Sequence, residues 1–113
     1  MIALLKGLKT ISPEKLHEAI QKREVIVFDV NSHDSWVNAR VPGATNLDPN
    51  NYSIRDLPAD KNSSLVFYCA NPMCRKAPNA AARARKMGYT NIRVMSAGIR
   101  GWVSNKMPTE SGE

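Results

Sequence analysis

The chain has 113 residues, 42% of them hydrophobic and 23% charged, which suits one soluble domain spanning residues 1–113 with an ordinary core. A domain of this size buries about 65% of its unfolded surface, so it needs neither metal nor cross-links to fold, and two cysteines exclude a disulfide scaffold. The net charge of +6 is unevenly placed: residues 1–60 hold 7 basic and 8 acidic side chains, whereas residues 61–109 hold 9 basic and no acidic ones.

At the start of the chain, Met1-Ile2-Ala3-Leu4-Leu5 breaks at Lys6 with no small-residue cleavage signature, so it does not read as a signal peptide. The longest apolar run, residues 65–70, is far short of the ~20 residues that span a bilayer. A cytoplasmic location without a membrane partner is the expectation. Ser12-Pro13 predicts a helix start, hydroxyl as N-cap and proline at the first helical position, with Leu16, Ala19 and Ile20 on one face and an end near Arg23. Residues 25–30 (Val-Ile-Val-Phe-Asp-Val) predict a strand covered on both faces.

Next, Asn31-Ser32-His33-Asp34 supplies capping side chains for a short helix carrying Trp36 and Val37. Val41-Pro42-Gly43-Ala44 turns the chain into an extended piece near Asn46-Leu47. Residues 48–64 are polar, hold Pro49 and Pro58, and predict a surface connection with one helical turn at 54–57. Residues 65–69 form the second strong strand, residues 78–87 a helix with small residues inside and Gly88 as its stop, residues 91–95 a third strand, and residues 99–105 a last helix. Strands alternating with helices predict an α/β fold, a mainly parallel central sheet with helices on both faces.

Ligands of such sheets bind at the carboxyl ends of the strands, which draws attention to Cys69. The loop Cys69-Ala70-Asn71-Pro72-Met73-Cys74-Arg75-Lys76 joins a buried strand to a helix N-terminus, a place where inward-curled N–H groups cradle an anion and hold a thiol as thiolate. Arg75 and Lys76 add positive charge, Pro72 stiffens the loop, and Pro78 suits a first helical turn. The plain alternative for Cys69 is a small apolar residue closing a strand. Cys74 is either an inert loop residue or a resolving thiol, the latter if the loop brings the two Cα atoms within ~7 Å. The positive excess lies in the half that carries both cysteines. It is expected either to act as a local field around a thiolate and an anionic substrate or to be a solvated helix face.

Other motifs are silent. His17 and His33 match no metal-ligand spacing and are assigned surface or capping roles, and Trp36 and Trp102 are assigned to the core. No Gly-rich phosphate loop, paired carboxylate or Ser-His-Asp order stands out, so no cofactor is expected. The basic half lacks interleaved aromatics, which argues against a nucleic-acid partner.

Four segments together resemble the rhodanese-like domain family over nearly the whole chain. Val27-Phe28-Asp29-Val30 resembles its strand ending in Asp-Val-Arg, Arg40-Val41-Pro42-Gly43-Ala44 its His-Ile-Pro-Gly-Ala, and residues 65–69 the strand that delivers the active cysteine. Met87-Gly88-Tyr89-Thr90-Asn91-Ile92 with Ala97-Gly98-Ile99-Arg100-Gly101-Trp102 resembles its closing helix-strand-helix. The resemblance implies a rhodanese-like three-layer sandwich and sulfurtransferase chemistry. Cys69 would take sulfur from a small anionic donor, thiosulfate or a persulfide, and pass it to cyanide or a thiol. N–H groups from Ala70 to Lys76 would hold the anion. A thiolate attacking a dianion meets repulsion of order 1 to 4 kcal/mol per charge pair at ~4 Å, which basic neighbours offset.

Asn31 stands where the family usually has arginine, Arg40 where it has histidine, and the cysteine loop is longer than usual. Cys69 and Arg75 also satisfy the Cys-x5-Arg pattern of cysteine-dependent phosphatases and arsenate reductases. Against that second reading, Tyr68 precedes the cysteine in place of histidine, no aspartate general acid follows, and Pro72 occupies a position that phosphate-wrapping loops keep flexible. A third reading is a non-catalytic binding module or redox sensor in which Cys69 and Cys74 switch between dithiol and disulfide.

Overall fold

The computed structural model describes residues 8–113, so the reading of residues 1–5 lies outside the described residues. Two exposed residues, Lys9–Thr10, form strand β1, which the sequence does not announce. Helix α1 (Pro13–Gln21) starts as predicted: the Ser12 side chain accepts from Lys15 N–H and proline occupies the first turn. Strand β2 (Ile26–Asp29) is followed by helix α2 (His33–Asn38), capped by Ser32 rather than by His33. After β3 (Thr45–Asn46) and a 3-10 turn at Ile54–Asp56 come β4 (Leu65–Tyr68) and helix α3 (Lys76–Lys86). The chain then forms β5 (Ile92–Val94) and helix α4 (Gly98–Ser104).

The sheet order is β1-β5-β4-β2-β3 and every pairing is parallel, with Val27 opposite Val66 and Leu65 opposite Ile92. Strand β4 is therefore central, and all four of its residues are buried. Alternation sorts its side chains to two faces. Leu65, Phe67 and then Cys69 join Phe28 and Val30 against Ala77, Ala80, Ala81 and Ala84 of α3, whose small side chains let the helix lie close to the sheet. Val66 and Tyr68 face the other way, into a core with Leu16 of α1 and Trp102 of α4. Helices on both faces of a parallel sheet make the predicted three-layer sandwich. No helix among the described residues is long and apolar enough to cross a membrane.

Of the two tryptophans assigned to the core, Trp102 is fully buried. Trp36 is only half-buried: the Arg40 guanidinium lies 4.0 Å over its ring, and its Nε1 donates to the Ala44 carbonyl. One face of its ring is thus covered by a largely buried guanidinium.

Behind the end of β4 lies a buried polar network. Asp29 is fully buried, and its carboxylate accepts from the Tyr68 hydroxyl at 2.5 Å and from Asn31 N–H at 2.8 Å. The Tyr68 hydroxyl in turn accepts from Val41 N–H, which ties the Pro42-Gly43 turn to the central strand. Burial raises the Asp29 pKa above the ordinary carboxylate value, while the bonds from Tyr68 and Asn31 pull it partly back. The folded state thus keeps this proton to higher pH than the unfolded chain, so the contribution of Asp29 to stability falls as pH rises above 3.8. Asp29→Asn removes that titration. Denaturant unfolding of both proteins across pH is expected to show the wild type losing stability relative to the variant above this point, and a difference constant with pH contradicts it.

Candidate active site

Cys69 follows the last residue of β4 and is 3% exposed. The loop after it is held from below by the start of α4: Ile99 N–H donates to the Cys69 carbonyl at 2.9 Å and Arg100 N–H to the Ala70 carbonyl at 3.0 Å. Gly98 permits this approach. It sits at φ +71°, and a Cβ there would meet the carbonyl carbon of Ala70 and the nitrogen of Asn71 at 2.5 Å. Reading the loop alone does not reveal Gly98; its only signal in the sequence is its place in the Ala97–Trp102 segment that carries the resemblance.

Within the loop Asn71 acts as an organiser. Its side-chain oxygen accepts from Met73 N–H at 2.9 Å and its carbonyl from Cys74 N–H at 3.1 Å, a turn that brings Cys74 back toward Cys69. The Cα atoms of the two cysteines are 6.5 Å apart and their Sγ atoms are joined as a disulfide. Cys74 is half-buried against the same core cluster as Cys69. Of the N–H groups expected to hold an anion, those of Met73 and Cys74 are thus engaged inside the loop in this state, and Pro72 has none. The N–H groups of Ala70, Asn71, Arg75 and Lys76 have no hydrogen-bond acceptor among the described residues. Helix α3 begins at Lys76, two residues earlier than predicted, with Arg75 at its N-cap and no side-chain cap, which leaves its first donors open beside the loop.

The basic half is less concentrated than its sequence suggests. Arg83, Arg85 and Lys86 occupy the last turn of α3, where cations complement the negative end of the helix dipole. Lys61 donates to the Met87 carbonyl just beyond it and lies 4.8 Å over the Tyr89 ring. Arg93 reaches back to Ser64, ahead of β4. These side chains serve the far end of the sheet. Arg75 and Lys76, both exposed, remain as the cations of the cysteine loop itself.

Beside the loop, at the carboxyl ends of β2 and β3, opens a polar cleft of about 370 Å³ lined by Asn31, His33, Asn46, Asp48 and Lys76 among others. Asn31, which stands where arginine is usual in the resembled family, donates its N–H to Asp29 and lends its carbonyl to the Asn46 amide. Arg40 ties down the other departure: its Nη1 donates to the Trp36 and Gly112 carbonyls, anchoring the C-terminal tail. His33 is hydrogen-bonded to Glu113 and His17 lies edge-on to Trp102. No group of metal-ligating side chains comes together among the described residues.

Comparison with known proteins agrees with this architecture. A family model for the rhodanese-like domain matches residues 12–105. The uncharacterized protein YibN of Escherichia coli is 23% identical over 98% of this chain and 78% of its own length. Human thiosulfate:glutathione sulfurtransferase is 25% identical over 90% of this chain and 99% of its own. Among solved structures, the BH2092 protein of Bacillus halodurans superposes with a TM-score of 0.84 at 22% identity, covering 96% of this chain and 80% of that one.

Proposed function

This chain belongs to the rhodanese-like domain family, and we propose that it is a sulfurtransferase that carries sulfur as a persulfide on Cys69. The observation that carries the proposal is the position of Cys69: a buried cysteine sulfur at the carboxyl end of the central parallel strand, beside the open N-terminus of α3. In that setting the thiolate attacks the outer sulfur of a thiosulfate-type donor, the S–S bond of the donor breaks, and sulfite leaves with the bonding electron pair. The donors of Ala70, Asn71, Arg75 and Lys76, together with the two loop cations, then face the negative charge of donor and persulfide.

A relative named for thiosulfate and glutathione supports a thiosulfate-type donor and a small thiol as acceptor. The polar cleft along Asn31, Asn46 and Lys76 suits the approach of a small polar acceptor of that kind. The Cys-x5-Arg reading requires Arg75 to close around a tetrahedral anion, and the exposure of its side chain at the N-cap of α3 favours sulfur transfer over phosphate or arsenate chemistry. The test is a single turnover. Reduced protein mixed with thiosulfate is expected to release sulfite in amounts equal to the protein, and phosphatase activity without sulfite release would overturn the proposal.

A further inference from the structure

We infer that Cys74 is a built-in acceptor for the sulfur on Cys69: its thiolate attacks Cys69 Sγ of the persulfide, closes the Cys69–Cys74 disulfide and expels hydrosulfide. The inference rests on the sulfurtransferase reading above and adds where the sulfur goes. Three observations carry it. The two Sγ atoms are joined, with Cα atoms 6.5 Å apart, inside the range that disulfides span without moving the backbone. Cys74 is held in that position by the Asn71 turn and by packing on the core that buries Cys69, so the approach does not depend on an extended loop. The contact is made with Cys69 Sγ itself, which in a persulfide is the inner sulfur.

The size of the adjoining cavity orders the steps. With the disulfide closed, the cavity bounded by Cys69, Cys74, Pro72, Pro78 and Met95 measures about 10 Å³, barely the space of one water and far too small for thiosulfate. The donor therefore meets the dithiol form. Cys69 thiolate takes the outer sulfur and sulfite departs. Cys74 thiolate then forms the S–S bond to Cys69 while the bond from Cys69 to the terminal sulfur breaks, and its electron pair leaves with hydrosulfide. In sum, thiosulfate and two cysteine thiols become sulfite, hydrogen sulfide and one disulfide. The transferred sulfur is reduced and the two cysteines are oxidised. Two equivalents of a low-molecular-mass thiol, or one protein dithiol, return the cysteines to the start by thiol–disulfide exchange.

The test gives phosphine-reduced protein, freed of reductant, to thiosulfate with no cyanide or thiol present, and reads sulfite, sulfide and protein mass. Wild type is expected to release one sulfite and one sulfide per chain, to end two hydrogens lighter than the dithiol form, and to turn over again only when dithiothreitol is added. Cys74→Ala is expected to release sulfite but no sulfide and to keep one extra sulfur on the Cys69 peptide, with Cys74→Ser as the second variant should alanine disturb folding. Wild type that holds its sulfur on Cys69 as long as Cys74→Ala does, or that shows the extra sulfur on Cys74, overturns the inference and leaves the sulfurtransferase reading intact. Absence of sulfite from wild type and variants alike overturns both.

Discussion

Cys69→Ala is expected to lower thiosulfate-dependent thiocyanate formation by at least roughly 10³-fold, because no other side chain in the loop can form the covalent intermediate on the same trajectory. Cys74 is the only rival thiol, and it sits half-buried before the N-cap of α3, off the end of the central strand. Cys74→Ala should therefore retain activity with cyanide as acceptor, since cyanide takes sulfur from Cys69 directly. The comparison is made in reducing buffer, where neither protein depends on the disulfide. Removing one buried sulfur costs about 1 kcal/mol of stability, so the variant stays folded and the lost rate reports chemistry. Near-wild-type activity in Cys69→Ala would remove the cysteine from the mechanism.

Gly98→Ala is expected to combine lost stability with lost transfer. Alanine at φ +71° is strained, and its Cβ would overlap the Ala70–Asn71 peptide at 2.5 Å, backbone that cannot rotate aside as a side chain would. Together these cost about 2–4 kcal/mol. The displaced peptide follows Cys69 directly, and the bonds from Ile99 and Arg100 N–H that fix the Cys69 and Ala70 carbonyls go with it. Single-turnover sulfite release should slow even at temperatures where the variant is folded. Gly43→Ala is the matching control: it also has positive φ, at +81°, but nothing lies within 4 Å of its Cβ. It should cost only about 1 kcal/mol and leave the rate unchanged. Equal effects of the two substitutions would mean that backbone strain alone, and not contact with the loop, sets the role of Gly98.

Much of the fold is legible in the sequence because its strongest signals are local. The β-branched run before Asn31 and the apolar run ending at Cys69 become β2 and β4, and Ser12-Pro13 and Ser32 cap the helices they precede. Strand β1 carries no such signal, since its two residues are exposed and it exists only by pairing with Arg93 and Val94. The C-terminal tail is equally silent, although Glu110 pairs with Arg40 and Gly112 N–H reaches the Val37 carbonyl. For the site, the position of Cys69 follows from strand and loop order, but the distance from Cys69 to Cys74 depends on how Asn71 folds the loop. Charge misleads for a physical reason. A run without acids spans both ends of α3, and Lys61, Arg83, Arg85 and Lys86 belong to the helix C-terminus rather than to the thiol.

Whether Cys69 bears the transferred sulfur is decided where that sulfur cannot be passed on. Cys74→Ala protein, reduced, exposed to thiosulfate without acceptor and then digested, is measured by mass spectrometry. One added sulfur is expected on the peptide containing Cys69, removed by cyanide with release of thiocyanate. An unmodified Cys69 peptide, in protein that is folded and has been given excess thiosulfate, contradicts it.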